Sequence, residues 1–254
     1  MTLPCTPAPV ASRTLRPRRR APLAVTAGAA ALALVLAAAP ARADVIWQGG
    51  SADGAGVFGT IECDDPGVLS VVDGAFRFQK SVGTYRCEAR GVRADGERLA
   101  FAEDETYWLG WTQSLELVPD ATQGDWVAWQ WKSYPNADQN YPLLLRVQSG
   151  ELRLTYVAPG EVWTTIWSAP VSELDEHRVA IGIHTSATEA DGWVELYYDG
   201  ERQTFADGST RYAGRTWDSA NEPKWGAYDR DNTAFEIANR VSDLVIGTTK
   251  EDVL

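Results

Sequence analysis

Short strand-like segments separated by turn-forming residues constrain the fold of this chain more than any other feature. Beyond residue 43, Gly, Asp, Asn and Pro interrupt the sequence about every 8–12 residues, a spacing typical of all-β proteins. The Asp199-Gly200 pair, with strand-like sequence on both sides, predicts a two-residue β-hairpin turn. No segment has a convincing helical period, although residues 233–239 are compatible with a short helix. The strand candidates are residues 75–80, 84–90, 107–117, 126–132, 143–147, 152–157, 162–167, 178–185, 193–198 and 244–247. The sequence therefore predicts an all-β fold of two packed sheets, a sandwich or jelly roll.

Residues 1–43 have the organisation of a secretory signal peptide. Four arginines between residues 16 and 20 precede an uncharged Ala/Leu/Val run over residues 21–39, and Ala41-Arg42-Ala43 fits a cleavage signal. The run is near the lower length limit for a membrane span, so an uncleaved anchor is the alternative. We expect a secreted protein with one domain over residues 44–254 and no stable membrane association after cleavage.

The charge of the expected mature chain limits its partners. The chain has 23 Lys and Arg against 35 Asp and Glu; residues 1–43 hold six Arg and no acid, so residues 44–254 carry a net charge of −18. This charge argues against nucleic acid, which needs a basic face. Cys63 and Cys87 are the two cysteines of this region, and export favours a disulfide between them. We interpret the only histidines, His177 and His184, as structural.

Three strand-like stretches place polar side chains at alternate positions, and such positions share one face of a strand. These positions are Arg86, Glu88 and Arg90 in the first stretch, Trp126, Gln130 and Lys132 in the second, and Lys224, Gly226 and Tyr228 in the third. A cation beside a phenol favours the phenolate, so Lys224 is expected to bind a carboxylate or to lower the pKa of Tyr228. The alternative interpretation is a set of solvated strand faces without chemistry.

Aromatic residues are abundant, with 11 Trp and 9 Tyr in the chain. Most should pack in the core of a two-sheet fold. Trp126, Trp131, Trp225 and Tyr134 are the candidates for lining a groove, where aromatic faces stack on sugar rings. Plain packing is the alternative for each of them.

The three polar stretches, taken in order, resemble a known family. Arg-x-Glu at 86–88, Gln-x-Lys at 130–132 and Lys-x-Gly-x-Tyr at 224–228, on separate strands, are similar to motifs of the jelly-roll polysaccharide lyases. The Tyr134-Pro135-Asn136 turn, the Asp-Gly hairpin and residues 241–247 look closest to the glucuronan lyase and heparin-lyase-I-like branch, which is related to the alginate lyases. The resemblance extends over residues 47–248.

The resemblance implies a fold, a reaction and a set of site residues. The fold is a β-jelly roll, a concanavalin A-like two-sheet sandwich with a concave substrate groove. The reaction is β-elimination in a 4-linked uronic-acid polysaccharide, glucuronan- or alginate-like, by a secreted monomer that requires no cofactor. The implied catalytic residues are Tyr228, Gln130, Arg86 and Lys132, and the implied substrate-binding residues are Lys224, Trp126, Tyr134, Glu88 and Arg90. A structural Ca²⁺ is compatible with the family, and the candidate oxygen ligands are Asp218, Asn221, Glu173 and Asp175, although no defined spacing supports them.

The residue types suit this reaction. The C5 proton of a uronate is weakly acidic because the adjacent carboxylate is charged, so hydrogen-bond donors must neutralise that carboxylate. Gln130 and Arg86 supply such donors. A base must then reach C5 and an acid must reach the leaving O4, and the resemblance implies Tyr228 as the acid.

One position departs from the family pattern, because Lys132 stands where many relatives have a His. Lys132 is expected to neutralise substrate, or to act as base if desolvation lowers its pKa. Alternatively, Tyr228 performs both proton transfers on one side of the ring, which is the option we favour, or the chain only binds. A glycoside hydrolase on the same sandwich is a competing prediction, but residues 173–177 lack the last acid of a Glu-x-Asp-x-Glu pattern. A non-catalytic carbohydrate-binding protein is another.

Overall fold

A computed structural model describes residues 44–116, 118, 124–171, 174–231 and 233–254. The predicted signal peptide, residues 1–43, lies outside this range. The described residues form seventeen strands and three short 3₁₀ helices at Ser51–Asp53, Ala55–Val57 and Lys250–Asp252. The strands are β1 (Val45–Gly49), β2 (Phe58–Cys63), β3 (Val68–Val72), β4 (Ala75–Lys80), β5 (Arg86–Ala94), β6 (Glu97–Arg98), β7 (Thr106–Glu116), β8 (Asp125–Ser133), β9 (Leu143–Gln148), β10 (Glu151–Ala158), β11 (Val162–Pro170), β12 (Glu176–His184), β13 (Trp193–Tyr198), β14 (Glu201–Arg202), β15 (Tyr212–Ala213), β16 (Asn221–Tyr228) and β17 (Ile237–Gly247).

Two antiparallel sheets form the sandwich, as predicted. The first sheet has nine strands, in the order β14-β13-β12-β7-β17-β4-β3, with β1 beside β17 and β15 beside β13. The second sheet has eight strands, in the order β11-β10-β9-β8-β16-β5-β2, with β6 beside β5. The three strands that carry the polar stretches, β8, β16 and β5, are neighbours at the centre of the second sheet. The topology therefore brings the three sequence motifs together.

The core lies between the two sheets and is rich in tryptophan. Trp111 of β7 and Trp129 of β8 stack across the sandwich with ring centroids 5.4 Å apart, and both are fully buried. Trp225 of β16 meets Trp111 edge-on at 6.0 Å. These rings supply the large inward side chains that hold two sheets about 10 Å apart.

The strand predictions hold in outline and fail at particular places. Each of the ten predicted segments overlaps a strand of the structure. Residues 233–239, which were compatible with a short helix, do not form one: β17 begins at Ile237, and the described residues before it form no helix. The ten candidates did not include β1, β2, β3, β6 or β15, whereas β14 and β16 were expected from the Asp-Gly hairpin and the third polar stretch. β2 and β3 end their sheets and carry exposed apolar residues such as Ile61 and Val68, which blur the alternation.

Cys63 and Cys87 form the predicted disulfide between two directly paired positions of β2 and β5. The side chain of Cys87 is fully buried, so the neighbouring positions Arg86 and Glu88 point away from the core, as the alternation predicted. In the part of the chain that is described, no helix has the length and apolarity needed to cross a bilayer.

Candidate active site

The outer face of the second sheet holds the predicted residues in a compact group. Lys224 of β16 lies opposite Gln130 of β8 on one side and opposite Arg90 of β5 on the other. Four residues further along β16, Tyr228 lies opposite Arg86. We call this group of side chains the polar cluster, with Glu88 and Glu62 as its further members.

An irregularity in β8 decides which of its residues join the cluster. The register between β8 and β9 shifts between Val127 and Trp129, which leaves Ala128 as an extra residue. The alternation therefore changes phase, so that Val127, like Gln130 and Lys132, belongs to the outer face. Trp126 falls on the core face and is fully buried.

Most of the candidate groove aromatics lie in the core. The expectation that Trp126 lines the groove is wrong, because regular alternation was assumed through the bulge. Trp131 and Trp225 are also fully buried, so plain packing is the correct interpretation for all three. Tyr134 is 59% exposed, and the guanidinium of Arg90 lies over its ring at 4.0 Å.

Gly226 allows the cluster to close. Its φ is 153°, and it lies opposite Glu88 of the neighbouring strand. A Cβ at this position would overlap the carbonyl oxygen of Cys87 and lie 2.5 Å from the Cα of Glu88. Because Gly226 has no side chain, the carboxylate of Glu88 reaches Lys224 on β16 and Gln130 on β8.

Glu88 is the buried centre of the cluster. One carboxylate oxygen accepts a 2.6 Å hydrogen bond from Nε2 of Gln130, and the other lies 2.8 Å from Nζ of Lys224. Burial raises the pKa of Glu88, and the charges of Lys224 and Arg86 oppose that rise. Glu88 and Lys224 are only 1% and 3% exposed, so the prediction that they bind substrate directly is corrected. Glu88 instead orients the amide of Gln130, and the charges of Glu88 and Lys224 balance each other.

Glu62 of β2 adds a second carboxylate, closer to solvent. It lies 2.8 Å from Nζ of Lys224, 3.4 Å from Nε of Arg90 and 3.5 Å from Nη1 of Arg86. Burial alone would raise the pKa of Glu62, but the hydrogen bond and charge of Lys224, together with both arginines, lower it. The carboxylate is therefore ionised at neutral pH.

Tyr228 lies at the edge of the cluster, where the guanidinium of Arg86 packs over its ring at 5.0 Å. Burial raises the pKa of Tyr228, and the nearby charge of Arg86 opposes this. Lys224 lowers the pKa of Tyr228, as predicted, but burial has the larger effect and leaves the pKa of Tyr228 raised overall. Lys224 also binds the carboxylates of Glu62 and Glu88.

Lys132 lies two residues beyond Gln130 on β8. Its Nζ donates to the main-chain carbonyl of Ser133 at 2.9 Å and to Oδ1 of Asn140. Burial lowers the pKa of Lys132 to about 8, and the positive charges of Lys224 and Arg90 contribute to the shift. Lys132, which we include in the polar cluster, therefore changes charge near pH 8.

Two cavities flank the cluster. The larger, of about 540 Å³, is lined by residues that include Arg90, Arg98, Phe101, Tyr134 and Glu222. In it, Glu222 accepts 2.8–2.9 Å hydrogen bonds from Arg90 and from both sides of the Arg98 fork. The arginines of this cavity are thus already bound to a carboxylate.

The second cavity, of about 320 Å³, adjoins Gln130 and Tyr228. Its far wall is the exposed ring of Trp163, with Tyr141 packed against it at 5.4 Å and the guanidinium of Arg146 at 4.8 Å. The sequence analysis assigned no site role to these residues. Tyr141 precedes β9 in a loop, and no pattern in the sequence links it to β11.

The histidines and the calcium candidates lie outside this group. His177 and His184 belong to β12 in the first sheet, where they stack on Tyr198 and Trp193. Among the described residues, no cluster of three or more His, Cys, Asp or Glu is arranged to hold a metal. Asp218 accepts hydrogen bonds from the backbone of Ala137 and Asp138 and from Arg215, a donor set that does not fit Ca²⁺. Glu173 lies outside the described residues.

The cluster thus offers amide and guanidinium donors, a phenol and an amine on one solvent-facing surface. This combination can neutralise a carboxylate and move a proton beside it. A family model described as polysaccharide lyase matches residues 59–252.

The chain belongs to the polysaccharide lyase family. It is therefore a polysaccharide lyase built on a two-sheet sandwich, and the predicted family, enzyme class and fold are confirmed. No curated protein matches the sequence of this lyase.

Solved structures of lyases share the fold. The endo-β-1,4-glucuronan lyase from the fungus Trichoderma reesei superimposes with a TM-score of 0.59 and 18% identity, covering 77% of this chain and 93% of that one. The alginate lyase from Corynebacterium sp. gives a TM-score of 0.51 and 16% identity, over 73% of this chain and 82% of that one. The alginate lyase AlgAT5, of polysaccharide lyase family 7, gives 0.50 and 16%, over 75% and 83%.

Proposed function

We propose that this lyase cleaves a 4-linked uronic-acid polysaccharide of the glucuronan or alginate type by β-elimination. The observation that carries the proposal is the convergence of Gln130, Arg86 and Tyr228 around buried Glu88 on the outer face of the second sheet. The similarity in fold to a glucuronan lyase and to alginate lyases supports the same substrate class.

The first chemical requirement is neutralisation of the uronate carboxylate. Glu88 accepts a hydrogen bond from one N–H of Gln130 Nε2, which fixes the amide and leaves its second N–H for substrate. Arg86 is about one-third exposed, so its guanidinium can reach the same carboxylate. Donors held in place before the reaction stabilise the charge that develops on the carboxylate as the C5 proton leaves.

Tyr228 then moves the proton. As phenolate, it removes the C5 proton; a C4=C5 double bond forms, the C4–O4 bond breaks, and the phenol returns the proton to O4. Arg86 over the ring stabilises the phenolate, while burial favours the phenol that acts as acid. One residue thus completes the elimination from one side of the ring, with no net gain or loss of protons.

The charge balance of the cluster favours a polymer with one carboxylate per sugar. Lys224 is paired with the carboxylates of Glu62 and Glu88, and Arg90 and Arg98 are both paired with Glu222. Arg86 and Lys132 retain the most capacity for an added anion. A densely sulfated polymer would need a longer basic groove, and residues 44–254 carry a net charge of −18.

An assay on glucuronan, alginate and heparin tests this proposal through the ultraviolet absorbance of the unsaturated product. We expect product from one or both polyuronates. The Tyr228→Phe variant should lose about 10²- to 10⁴-fold in kcat, the usual contribution of a general acid–base group. Tyr85→Phe, which alters an exposed phenol at the start of the same region, is the matched control. Full activity of Tyr228→Phe would overturn the mechanism, and no product from any uronate polymer would overturn the substrate class.

We also propose that the protein is secreted as a monomer after cleavage beyond Ala43. N-terminal sequencing of the exported protein should begin at Asp44, and light scattering should give the mass of one copy. A retained N-terminus in the membrane fraction would contradict this.

A further inference from the structure

Glu62 reaches the polar cluster from a strand that does not adjoin Lys224. It lies on β2, the strand at one end of the second sheet's main order, directly opposite Glu88, and its side chain extends across β5 to Lys224 of β16. Its side chain is 29% exposed, whereas that of Glu88 is 2% exposed. Of the two carboxylates that bind Lys224, Glu62 is the one that reaches the solvent side of the cluster.

The partners of Glu62 include the arginines that an anionic sugar would need. It contacts three cations at 2.8–3.5 Å, namely Lys224, Arg90 and Arg86. Glu88 already supplies Lys224 with a buried partner at 2.8 Å, and Glu222 supplies Arg90 with one at 2.9 Å. Arg86 also lies 4.0 Å from Glu88. All three cations therefore keep a carboxylate without Glu62, so neutralising buried charge does not by itself require it.

We propose that Glu62 is a specificity-determining residue that competes with the anionic groups of the substrate for Arg90 and Arg86 and offsets the charge of buried Lys224. The inference rests on the proposed uronate-cleaving function and deepens it. With Glu62 charged, the cluster has positive charge left for one carboxylate per sugar and rejects a sugar that also carries sulfate. Without that charge, Arg90 and Arg86 accept further anions, and the uncompensated charge of Lys224 favours their binding.

The size of the effect follows from the exposure of the side chain. Glu62 is partly exposed, and ion pairs of this kind contribute modestly because water screens them. Loss of its charge is therefore expected to tighten anion binding by about fivefold rather than by orders of magnitude. Sulfated ligands should gain more than carboxylate ligands, because they bring more negative charge to the cluster.

Binding measurements in a Tyr228→Phe background, which should slow cleavage by about 10²- to 10⁴-fold, test the inference. Isothermal titration calorimetry would compare the background protein with added Glu62→Gln, using glucuronan and heparin oligosaccharides of equal length. Glu97→Gln removes the same charge from an exposed position on β6 and serves as the matched control. Thermal melting of each variant checks the fold, and Glu62→Asp, which keeps the charge but shortens the reach, is the second variant.

Glu62→Gln should lower the Kd for heparin oligosaccharides by about fivefold and that for glucuronan by less, while Glu97→Gln changes neither. Unchanged or weaker binding in Glu62→Gln overturns the inference. If that variant does not fold, Glu62→Asp decides, because its shorter side chain withdraws the carboxylate from the cations: heparin binding tighter by less than about fivefold supports the inference, and unchanged or weaker binding overturns it. Failure of the proposed function would appear differently, as no binding of glucuronan oligosaccharides to any variant. In that case the Kd for heparin oligosaccharides would still show whether Glu62 limits anion binding.

Discussion

Lys132 and Tyr228 flank Gln130 and differ in how burial acts on them. Burial raises the pKa of Tyr228, because the phenolate is the charged form, and lowers the pKa of Lys132 to about 8, because the ammonium is the charged form. Lys132 therefore changes charge within the range where enzymes are commonly assayed, whereas the phenol of Tyr228 persists to higher pH. This difference allows the two residues to be separated by kinetics.

A pH series distinguishes the roles available to Lys132. If its ammonium binds the uronate carboxylate, as we favour, KM should rise as pH increases through about 8, where the charge is lost. Lys132→Arg keeps the charge at high pH and should remove that rise. If Lys132 is instead the base, kcat/KM should increase through the same pH as the amine becomes neutral. The Lys132→Met variant should then abolish activity.

At the scale of strands, two irregularities build the site. Ala128 is an extra residue in β8, and Gly226 adopts a φ of 153° in β16. Their carbonyl oxygens both accept hydrogen bonds from the buried amide of Asn239 on β17, at 3.1 and 2.8 Å. A side chain of the first sheet thus binds carbonyls at the irregular part of the second sheet, directly beneath the polar cluster.

Replacement of Gly226 tests this arrangement. Gly226→Ala would place a Cβ against Cys87 and Glu88 at a backbone angle that L-residues rarely adopt, so we expect a loss of about 1–3 kcal/mol in the free energy of unfolding. Displacement of Glu88 should also lower kcat, because Gln130 loses its fixed orientation. Gly56→Ala is the control, since no atom lies within 4 Å of its added Cβ. Equal melting temperatures for both variants would contradict the expectation.

Most of the longer strands could be predicted from the sequence, but the phase of the alternation in β8 could not. Alternation places Arg86 and Tyr228 correctly because β5 and β16 pair without a break between these residues. The same reasoning fails for Trp126. A bulge adds one residue to β8 and reverses which face the preceding side chains occupy, and the residue types of the sequence do not show where the bulge lies. Glu62 was missed for a related reason, because its strand ends the sheet and its alternation is weak.

The molecule as a whole is acidic, whereas the polar cluster contains several basic side chains. Residues 44–254 have a net charge of −18, whereas the polar cluster gathers Arg86, Arg90, Lys132 and Lys224 in one place. An approaching polyanion is repelled at long range and attracted only near the cluster. Salt screens the long-range term first, since the Debye length falls from roughly 30 Å at 0.01 M to 8 Å at 0.15 M.

Activity should therefore depend on ionic strength with a maximum. We expect kcat/KM on a polyuronate to rise between about 0.01 and 0.15 M salt, as repulsion is screened, and to fall toward about 1 M, where contacts in the cluster weaken. A short oligosaccharide carries less charge and should show a flatter profile, which makes it the control. A continuous fall from the lowest salt would show that local attraction dominates at all distances.

The sequence alone determined the strand-rich fold, the pairing of Cys63 with Cys87 and the motifs that resemble the lyases. These follow from local chemistry: turn residues, alternation and residue types at short spacing. Only the tertiary structure decided that Lys224 is buried between two carboxylates, that Trp126 belongs to the core and that Glu62 joins the cluster. Each of those outcomes depends on which strands pair and in what register, and register is set by contacts between residues far apart in the chain.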